Sequence, residues 1–294
     1  MLELRTSQLS LWIDPDYGAS TLGLAWRGKH VMPDCRKALR LPSALISERG
    51  ELPEASFNML PWSGRVLGGK MWHGGQAIFL GRAEEHALHG EVWDQSWTVV
   101  SHDQTFLRCR LNRPEGSRFP ADYSAIYESQ LEENKASFSL TITNRSSETI
   151  FMGGGFHPYF DRLNGVTVAF DALAEYPTSD HVGIPSGPAI PTPRSKSFTK
   201  GVILSRDVLV DTSFLLGKKQ ARLTWPQDGL NALFEFSESI DHIVVYNPDK
   251  SWFAMEPVSH PNNILGESQN SLRRHLEPGA SLNLGYSISF FESA

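Results

Sequence analysis

The segment MGGGFHPYF, residues 152–160, presents a histidine under strong local constraint. Three consecutive glycines precede it, and glycine permits backbone conformations, or a close approach of other groups, that a side chain would forbid. Pro158 fixes its own φ and favours an extended backbone at His157. An imidazole titrates near neutral pH, so it can both give and regain a proton. The pattern makes His157 a candidate functional residue, and a satisfied structural histidine in a turn is the alternative interpretation.

A carboxylate in the segment SWFAMEPVSHPNNI is the second candidate. Glu256 ends an apolar run of Phe253, Ala254 and Met255, and a proline follows it directly. Apolar surroundings raise the pKa of a carboxyl group, which suits a general base that works near neutrality. Glu256 is therefore a candidate proton acceptor.

Two further segments bring polar side chains close together. NMLPWSGRV places Arg65 after a Pro-Trp-Ser-Gly turn, and EEHALHGEVWDQSW contains His86, His89 and Glu91. An isolated arginine of this kind is usually a surface or ion-pair residue. The spacing HxxHxE is compatible with a metal site, but it has low specificity on a loop or strand, and we expect no metal.

Composition and motifs exclude several classes of function. The 294 residues carry a net charge of −6 without a basic cluster, which argues against nucleic acid or an anionic membrane surface as the partner. No apolar run reaches the roughly 18 residues of a membrane span, and no signal peptide is recognisable. The motifs G-x-S-x-G, G-x-x-x-x-G-K-[ST] and H-E-x-x-H are absent. With Cys35 and Cys109 interpreted as unpaired thiols, we expect a cytoplasmic protein with a small-molecule partner.

Short β-branched and aromatic runs, separated by Gly, Pro, Asn and Asp, dominate the chain. The clearest lies at 123–146, where apolar and polar residues alternate on both sides of the turn EENK and predict two antiparallel strands with one buried face. Stretch 177–200 is rich in proline and is interpreted as a long surface loop. We therefore expect an all-β protein, with residues 1–294 forming a single domain.

Taken together and in order, the motifs resemble the aldose 1-epimerase (galactose mutarotase) family, and its short bacterial branch in particular. The resemblance runs from about residue 10 to 290, and HPYF followed by EP-x-S-x-x-P-N is its most specific part. It implies a galactose mutarotase-like β-supersandwich of large antiparallel sheets with few short helices. The motifs that carry it are SGRV, HALHGEVWDQSW, GGGFHPYF, DTSF and VVYNPDKSWFAMEPVSHPNN.

The resemblance also implies a role for each matching residue. Glu256 would be the general base and His157 the general acid of a reaction that opens and closes a sugar ring. The substrate would be a free aldose, whose α and β anomers interconvert through the open-chain aldehyde, without a metal or an organic cofactor. The residues that would hold the sugar are Arg65, His89 and Asp211, with Trp93 as an apolar platform for one sugar face.

Two departures from the family pattern bear on the substrate. Gly64 stands where the family usually has asparagine, which removes one polar sugar contact, and the segment HGEVWDQSW is shorter than in galactose-specific relatives. One alternative is a mutarotase for a phosphorylated or sulfonated hexose, with Arg82, Arg27 or Lys70 forming a cationic pocket. The others are a non-catalytic carbohydrate-binding β-sandwich and a metal-dependent cupin-like enzyme that uses His86, His89 and Glu91. The sequence leaves open which aldose is the substrate and whether the protein is a monomer or an oligomer.

Overall fold

Strands make up most of the ordered structure, as expected for an all-β protein. The computed structural model describes residues 1–37, 52–81, 86–162, 165–178, 183–266 and 274–292. The strands are β1 (Leu2–Arg5), β2 (Leu9–Asp14), β3 (Ser20–Trp26), β4 (Lys29–Met32), β5 (Asn58–Met59), β6 (Arg65–Val66), β7 (Lys70–His73), β8 (Gln76–Phe79), β9 (Ala87–Leu88), β10 (Thr98–His102), β11 (Phe106–Asn112), β12 (Tyr123–Leu131), β13 (Lys135–Asn144), β14 (Ile150–Phe151), β15 (Gly155–Phe156), β16 (Tyr159–Asp161), β17 (Thr167–Glu175), β18 (Val202–Ile203), β19 (Val210–Trp225), β20 (Leu230–Phe236), β21 (His242–Asn247), β22 (Trp252–Val258), β23 (His275–Leu276) and β24 (Ser281–Glu292).

A 14-stranded antiparallel sheet forms the body of the protein, in the order β10-β11-β12-β13-β24-β20-β19-β21-β22-β15-β5. Strand β16 pairs with β22, and β17 pairs with β18 and β19. Strands β1 to β4 form a separate antiparallel sheet. These large sheets confirm the predicted fold class.

The hairpin predicted at residues 123–146 is confirmed. Strands β12 and β13 pair from Tyr123 opposite Asn144 to Leu131 opposite Ala136. Buried and partly exposed residues alternate along both strands, which is the pattern of a sheet with one face against the core. One cluster of buried hydrophobic side chains extends from Leu4 to Phe290.

The proline-rich stretch 177–200 contains a helix that the loop interpretation missed. Helix α1 (Pro193–Lys200) begins after Thr192, whose side chain accepts a hydrogen bond from the Ser195 backbone N–H. Ser195 bonds back to Thr192 and Pro193 occupies the first turn, so a capping box starts this helix. Phe198 then anchors it against Phe170, with ring centroids 4.9 Å apart. Two 3₁₀ turns lie at Leu67–Gly69 and Pro226–Asp228, and no helix among the described residues is long and apolar enough to cross a membrane.

Strands β21 and β22 are buried on both faces, and the two faces serve different purposes. Ile243, Val245 and Phe253 belong to the main core. Val244 and Val258, which point the other way because side chains alternate along a strand, form a separate cluster with Phe57 and Met59. The second face therefore carries a small apolar floor of its own.

Close backbone approach explains the run of three glycines. A Cβ on Gly153 would lie 2.5 Å from a ring carbon of His260, and one on Gly154 would lie 2.1 Å from the Met59 carbonyl oxygen. A Cβ on Gly155 would lie 2.3 Å from the Pro257 carbonyl oxygen. Each contact is closer than any side chain permits, so the run lets the 153–155 backbone lie directly against β5 and β22.

We expect Gly155→Ala to lower the free energy of unfolding by about 1–3 kcal/mol, because the new methyl group meets backbone atoms of β22 rather than a movable side chain. Urea unfolding followed by circular dichroism measures the change. Gly187→Ala is the matched control, because no atom lies within 4 Å of a Cβ at that position, and we expect a change within about 0.5 kcal/mol. Equal stability of the two variants would contradict the close approach.

Candidate functional site

A cavity of about 170 Å³ opens on the second face of β21 and β22. This is well below the roughly 300–1,000 Å³ of sites for drug-sized ligands, so it suits a small molecule. Its walls are mostly polar. The lining residues are Gly64, Arg65, His89, His157, Tyr159, Asp211, Val244, Tyr246, Glu256 and Asn262.

Neighbouring strands of the large sheet present several of these side chains on one face. In the antiparallel register, Asp211 of β19 lies opposite Tyr246 of β21, and Val244 of β21 lies opposite Glu256 of β22. Because the side-chain period of a strand is two, Val244 and Tyr246 share a face, and their partners face the same way. The sheet register therefore brings Asp211 and Glu256 to one cavity although they are distant in sequence.

His157 lies between β15 and β16, and both its backbone and its ring are fixed. Its backbone N–H donates a 3.0 Å hydrogen bond to the Phe57 carbonyl oxygen. The imidazole stacks on the Phe57 ring at a centroid distance of 4.5 Å and leans on Tyr159 at 4.6 Å. Its Nε2 then lies 3.1 Å from Glu256 Oε1.

This histidine–carboxylate pair is almost sealed from water. His157 is 4% exposed and Glu256 is 3% exposed. Burial raises the pKa of Glu256 well above its ordinary 4.5, and the negative charge of Asp211 adds to the increase. Burial, together with the positive charge of Arg65, lowers the pKa of His157 to about 3. Both shifts favour a pair without net charge, which holds a single proton between the imidazole and the carboxylate.

His89 follows β9 and approaches the His157 ring edge-on, with centroids 5.0 Å apart at 90°. Its Nδ1 accepts a hydrogen bond from the Gly64 backbone N–H at 3.3 Å. Burial, followed by the proximity of His157 and Arg65, lowers the pKa of His89 well below 6.5. The ring is therefore neutral with its proton on Nε2, which makes it a hydrogen-bond donor.

A charged pair completes the cavity wall. Arg65 Nη1 lies 3.5 Å from Asp211 Oδ2, and both side chains keep partial contact with solvent. Strands β6 and β9 pair Arg65 with Leu88, the residue before His89. The short β6–β9 ladder thus brings two of the predicted sugar-binding residues to the same wall.

The sequence model of the aldose 1-epimerase family matches residues 48–289. The chain belongs to the aldose 1-epimerase family. It is similar to the uncharacterised Escherichia coli K12 protein YphB, with 25% identity over 236 residues, covering 76% of this chain and 80% of YphB.

Solved structures show the same fold. A galactose mutarotase-like protein from Clostridium acetobutylicum has a TM-score of 0.85 at 16% identity, covering 99% of this chain and 94% of that one. A galactose mutarotase-like protein from Lactobacillus casei has a TM-score of 0.81 at 16% identity, covering 99% and 100%. The galactose mutarotase-like fold predicted from the sequence motifs is thereby confirmed.

The cavity of this aldose 1-epimerase family member gathers five of the six predicted site residues: Arg65, His89, His157, Asp211 and Glu256. Trp93 is not among the described lining residues. Its ring is partly exposed and meets Phe57 at 6.4 Å and Tyr17 at 6.1 Å. Trp93 therefore packs beside the ring on which His157 stacks, and its role as an apolar platform for a sugar stays a prediction.

Sequence analysis missed three polar lining residues, Tyr159, Tyr246 and Asn262. Tyr159 and Asn262 lie within the segments HPYF and HPNN. Nothing in those motifs distinguished these two residues from structural ones. Asn262 bears directly on Gly64, because its side chain occupies the space where a side chain at position 64 would lie.

The proposed metal ligands point to different partners. His86 Nδ1 accepts a hydrogen bond from the Gly68 N–H at 3.0 Å, whereas His89 faces Gly64 and His157. Glu91 accepts hydrogen bonds from Tyr123 and Ser117. Among the described residues, no group of three or more His, Cys, Asp or Glu is arranged to hold a metal ion.

A third carboxyl group lies close behind the site but outside its lining. Glu54 is 5% exposed, and its Oε2 has no hydrogen-bond partner among the described residues. The next residue, Ala55, accepts the Tyr159 backbone N–H at 2.9 Å, which places this segment beside the cavity wall. Burial raises the pKa of Glu54 from 4.5 to about 7.

This shift predicts a loss of stability on the alkaline side. Because the folded state holds the Glu54 proton more tightly than the unfolded chain, the contribution of Glu54 to stability is fully present below pH 4.5 and is lost as the pH rises through about 7. A pKa that moves from 4.5 to about 7 corresponds to about 3 kcal/mol at most. We expect Glu54→Gln to be more stable than the wild type at pH 8 and similar to it at pH 5, as measured by urea unfolding.

Glu175→Gln serves as the control for this prediction, because Glu175 is a buried carboxylate with a cationic partner, Arg194, at 2.8 Å. It should not remove the decrease between pH 5 and pH 8. The prediction fails if Glu54→Gln and the wild type lose the same stability over that range.

Proposed function

We propose that this protein is an aldose mutarotase, which interconverts the α and β anomers of a free sugar by general acid–base catalysis. The observation that carries the proposal is the buried contact between His157 and Glu256 inside a polar cavity. Anomer interconversion requires one group that takes a proton from the C1 hydroxyl and another that gives a proton to the ring oxygen. A pair that holds one proton supplies both.

At rest the shared proton lies on Glu256, because the pKa of Glu256 is raised and that of His157 is lowered. In the first half of the reaction this proton has moved to His157, so the Glu256 carboxylate takes the C1 hydroxyl proton while protonated His157 gives its proton to the ring oxygen. The bond between C1 and the ring oxygen breaks, and a C1 carbonyl forms. The hydroxyl oxygen and the ring oxygen are both bonded to C1, so they lie close together. The sugar can therefore sit between His157 and Glu256 in place of their direct hydrogen bond. The reaction leaves Glu256 protonated and His157 neutral.

The second half uses this other form of the same pair. After rotation about the C1–C2 bond, neutral His157 takes the proton from the released hydroxyl while that oxygen attacks the other face of the carbonyl. Glu256 returns its proton to the carbonyl oxygen. The form with the proton on His157 thus opens the ring, and the form with the proton on Glu256 closes it. At the end of the cycle the proton is again on His157.

The distribution of charge supports a neutral sugar as the substrate. The one cation among the described lining residues, Arg65, is paired with Asp211. Arg27 pairs with Glu292 and lies over Trp26, and Lys70 lies 4.4 Å above the Trp72 ring. Neither belongs to the described cavity wall, and Arg82 lies outside the described residues. An additional phosphate or sulfonate would meet Asp211 and Glu256 in this cavity.

We propose that residues 1–294 act as a single aldose 1-epimerase-like domain in the cytoplasm. The buried cluster that extends from Leu4 to Phe290 supports the first statement. The second is supported by Cys35 and Cys109, which are both free and buried.

Polarimetry on freshly dissolved α-D-glucose, α-D-galactose and a panel of other aldoses tests the proposed reaction. We expect Glu256→Gln and His157→Asn each to fold and to lose about 10²- to 10⁴-fold of the catalysed rate, because each removes one proton-transfer group. Glu54→Gln, assayed at pH 6, is the matched control, because that buried carboxyl is already protonated there. Near wild-type rates in either site variant at saturating sugar would overturn the role assignment.

The pH profile provides a second test. A second proton would give the pair a positive charge and loss of the shared proton a negative one, and burial opposes both. Because the pKa of His157 is lowered and that of Glu256 is raised, the one-proton form should persist below pH 4.5 and above pH 6.5. We expect kcat/KM, corrected for buffer catalysis, to stay level beyond both limits. A bell with limbs at 4.5 and 6.5 would show an ordinary exposed pair.

A further inference from the structure

The cavity wall opposite Gly64 is formed by a side chain that needs the glycine to be there. A Cβ at Gly64 would lie 1.7 Å from Asn262 Oδ1, and the glycine has a φ of +66°. Asn262 lines the cavity and is 6% exposed. The amide of Asn262 therefore fills the volume that a side chain at position 64 would take.

Asn262 is fixed by its neighbours, so its carbonyl oxygen has a defined direction. Its Nδ2 donates a 3.0 Å hydrogen bond to the Gly183 carbonyl oxygen. Since that partner is an acceptor, only the NH₂ of the amide can satisfy it, which assigns Oδ1 to the side facing Gly64. The backbone N–H of Asn262 points to Ser213 Oγ at 3.4 Å. The rotamer is thereby set before a ligand arrives.

Gly183 makes room for a second polar side chain in the same wall. Its φ is +69°, and a Cβ there would lie 2.6 Å from Asp211 Oδ1. Two glycines in left-handed conformations thus leave space for two cavity side chains, Asn262 and Asp211. Ordering the two glycines reduces the conformational freedom of the chain. In return, the side chains of Asn262 and Asp211 place two hydrogen-bond acceptors in the cavity wall.

The remaining hydrogen-bonding capacity of Asn262 faces the cavity. Its Oδ1 accepts no hydrogen bond within the described part of the chain. Because this oxygen is not fully buried, it stays accessible from the cavity that Asn262 lines. A carbonyl oxygen held in this way can accept a proton from a hydroxyl group, which a sugar supplies at most of its carbons.

We propose that Asn262 is a substrate-binding residue whose Oδ1 accepts a hydrogen bond from one sugar hydroxyl and so determines which aldoses are accepted. The inference rests on the mutarotase function proposed above and extends it to recognition. A site that hydrogen-bonds a hydroxyl rejects analogues that lack it, because the partner is left unpaired.

The test compares wild type and Asn262→Ala on the best aldose and its singly deoxygenated analogues. We expect Asn262→Ala to raise KM by about tenfold, the effect of one hydrogen bond, with little change in kcat. In the wild type, removal of one particular hydroxyl should lower kcat/KM by a similar factor. In Asn262→Ala the same deoxygenation should have almost no effect. This coupling would not arise from a purely structural role.

Asn263→Ala is the matched control in the same loop. Asn263 Oδ1 accepts the Leu67 N–H at 2.9 Å, and the residue does not line the described cavity. We expect it to disturb the loop without selecting among deoxygenated sugars. If both variants lose activity equally on every sugar, Asn262 is structural and the proposal is wrong.

Relocation of the amide adds a second variant. Gly64→Asn alone should weaken sugar binding, because the new amide and that of Asn262 compete for the same volume. The backbone at position 64 is not the obstacle, because asparagine tolerates a positive φ. The double variant Gly64→Asn with Asn262→Gly should recover binding relative to either single change, with an altered preference among deoxygenated sugars. No recovery, together with unchanged KM in Asn262→Ala, would overturn the inference.

The proposed function and this inference fail in different ways. Absence of Glu256-dependent acceleration on every aldose removes the mutarotase function. Calorimetric titration of the same sugars then decides the inference on its own, because weaker binding by Asn262→Ala than by wild type supports it. Equal affinities, or no binding by the wild type, overturn it.

Discussion

The exclusion of water from the His157–Glu256 pair is the constraint on which the site depends. In water an imidazole and a carboxylate titrate independently, and each meets the sugar in whichever state the pH dictates. In the cavity, burial opposes any net charge, so the two groups hold one proton between them. The reversible reaction proposed here needs that condition, because the pair must begin with a proton on one side and end with it on the other.

Burial of two ionisable groups requires a second apolar surface away from the main core. Strands β21 and β22 provide it, because one face joins the large core and the other joins the small cluster of Phe57, Met59, Val244 and Val258. The Phe57 ring stacks on the His157 imidazole, and the Phe57 carbonyl oxygen accepts a hydrogen bond from the His157 backbone N–H. Gly154 and Gly155 let the backbone before His157 lie against β5 and β22, so His157 and Glu256, the proposed acid and base, share one support.

Features that depend on neighbouring residues could be predicted from the sequence, whereas features that depend on contacts between distant residues could not. Strand periodicity predicted β12 and β13, and local motifs predicted His157 and Glu256. The apolar neighbours of Glu256 were misleading in one respect, because Phe253 and Met255 point to the opposite face and residues far along the chain bury the carboxylate. Helix α1 was missed although Thr192 and Ser195 form its cap. Asn262 was also missed, because its meaning depends on a contact with Gly64, about 200 residues away.

The residues proposed to perform the chemistry and those proposed to recognise the sugar are held by different parts of the fold. Glu256 lies in β22 and His157 lies between β15 and β16, so the geometry of the proposed proton transfer is tied to the large sheet. Gly64, Gly183 and Asn262 belong to connecting segments, where one side chain fills the space left by another residue's missing Cβ. An exchange of volume between such positions changes the polar groups around a sugar without moving the strands. In this chain, substitutions at these positions would therefore change the proposed recognition while the His157–Glu256 pair keeps its place.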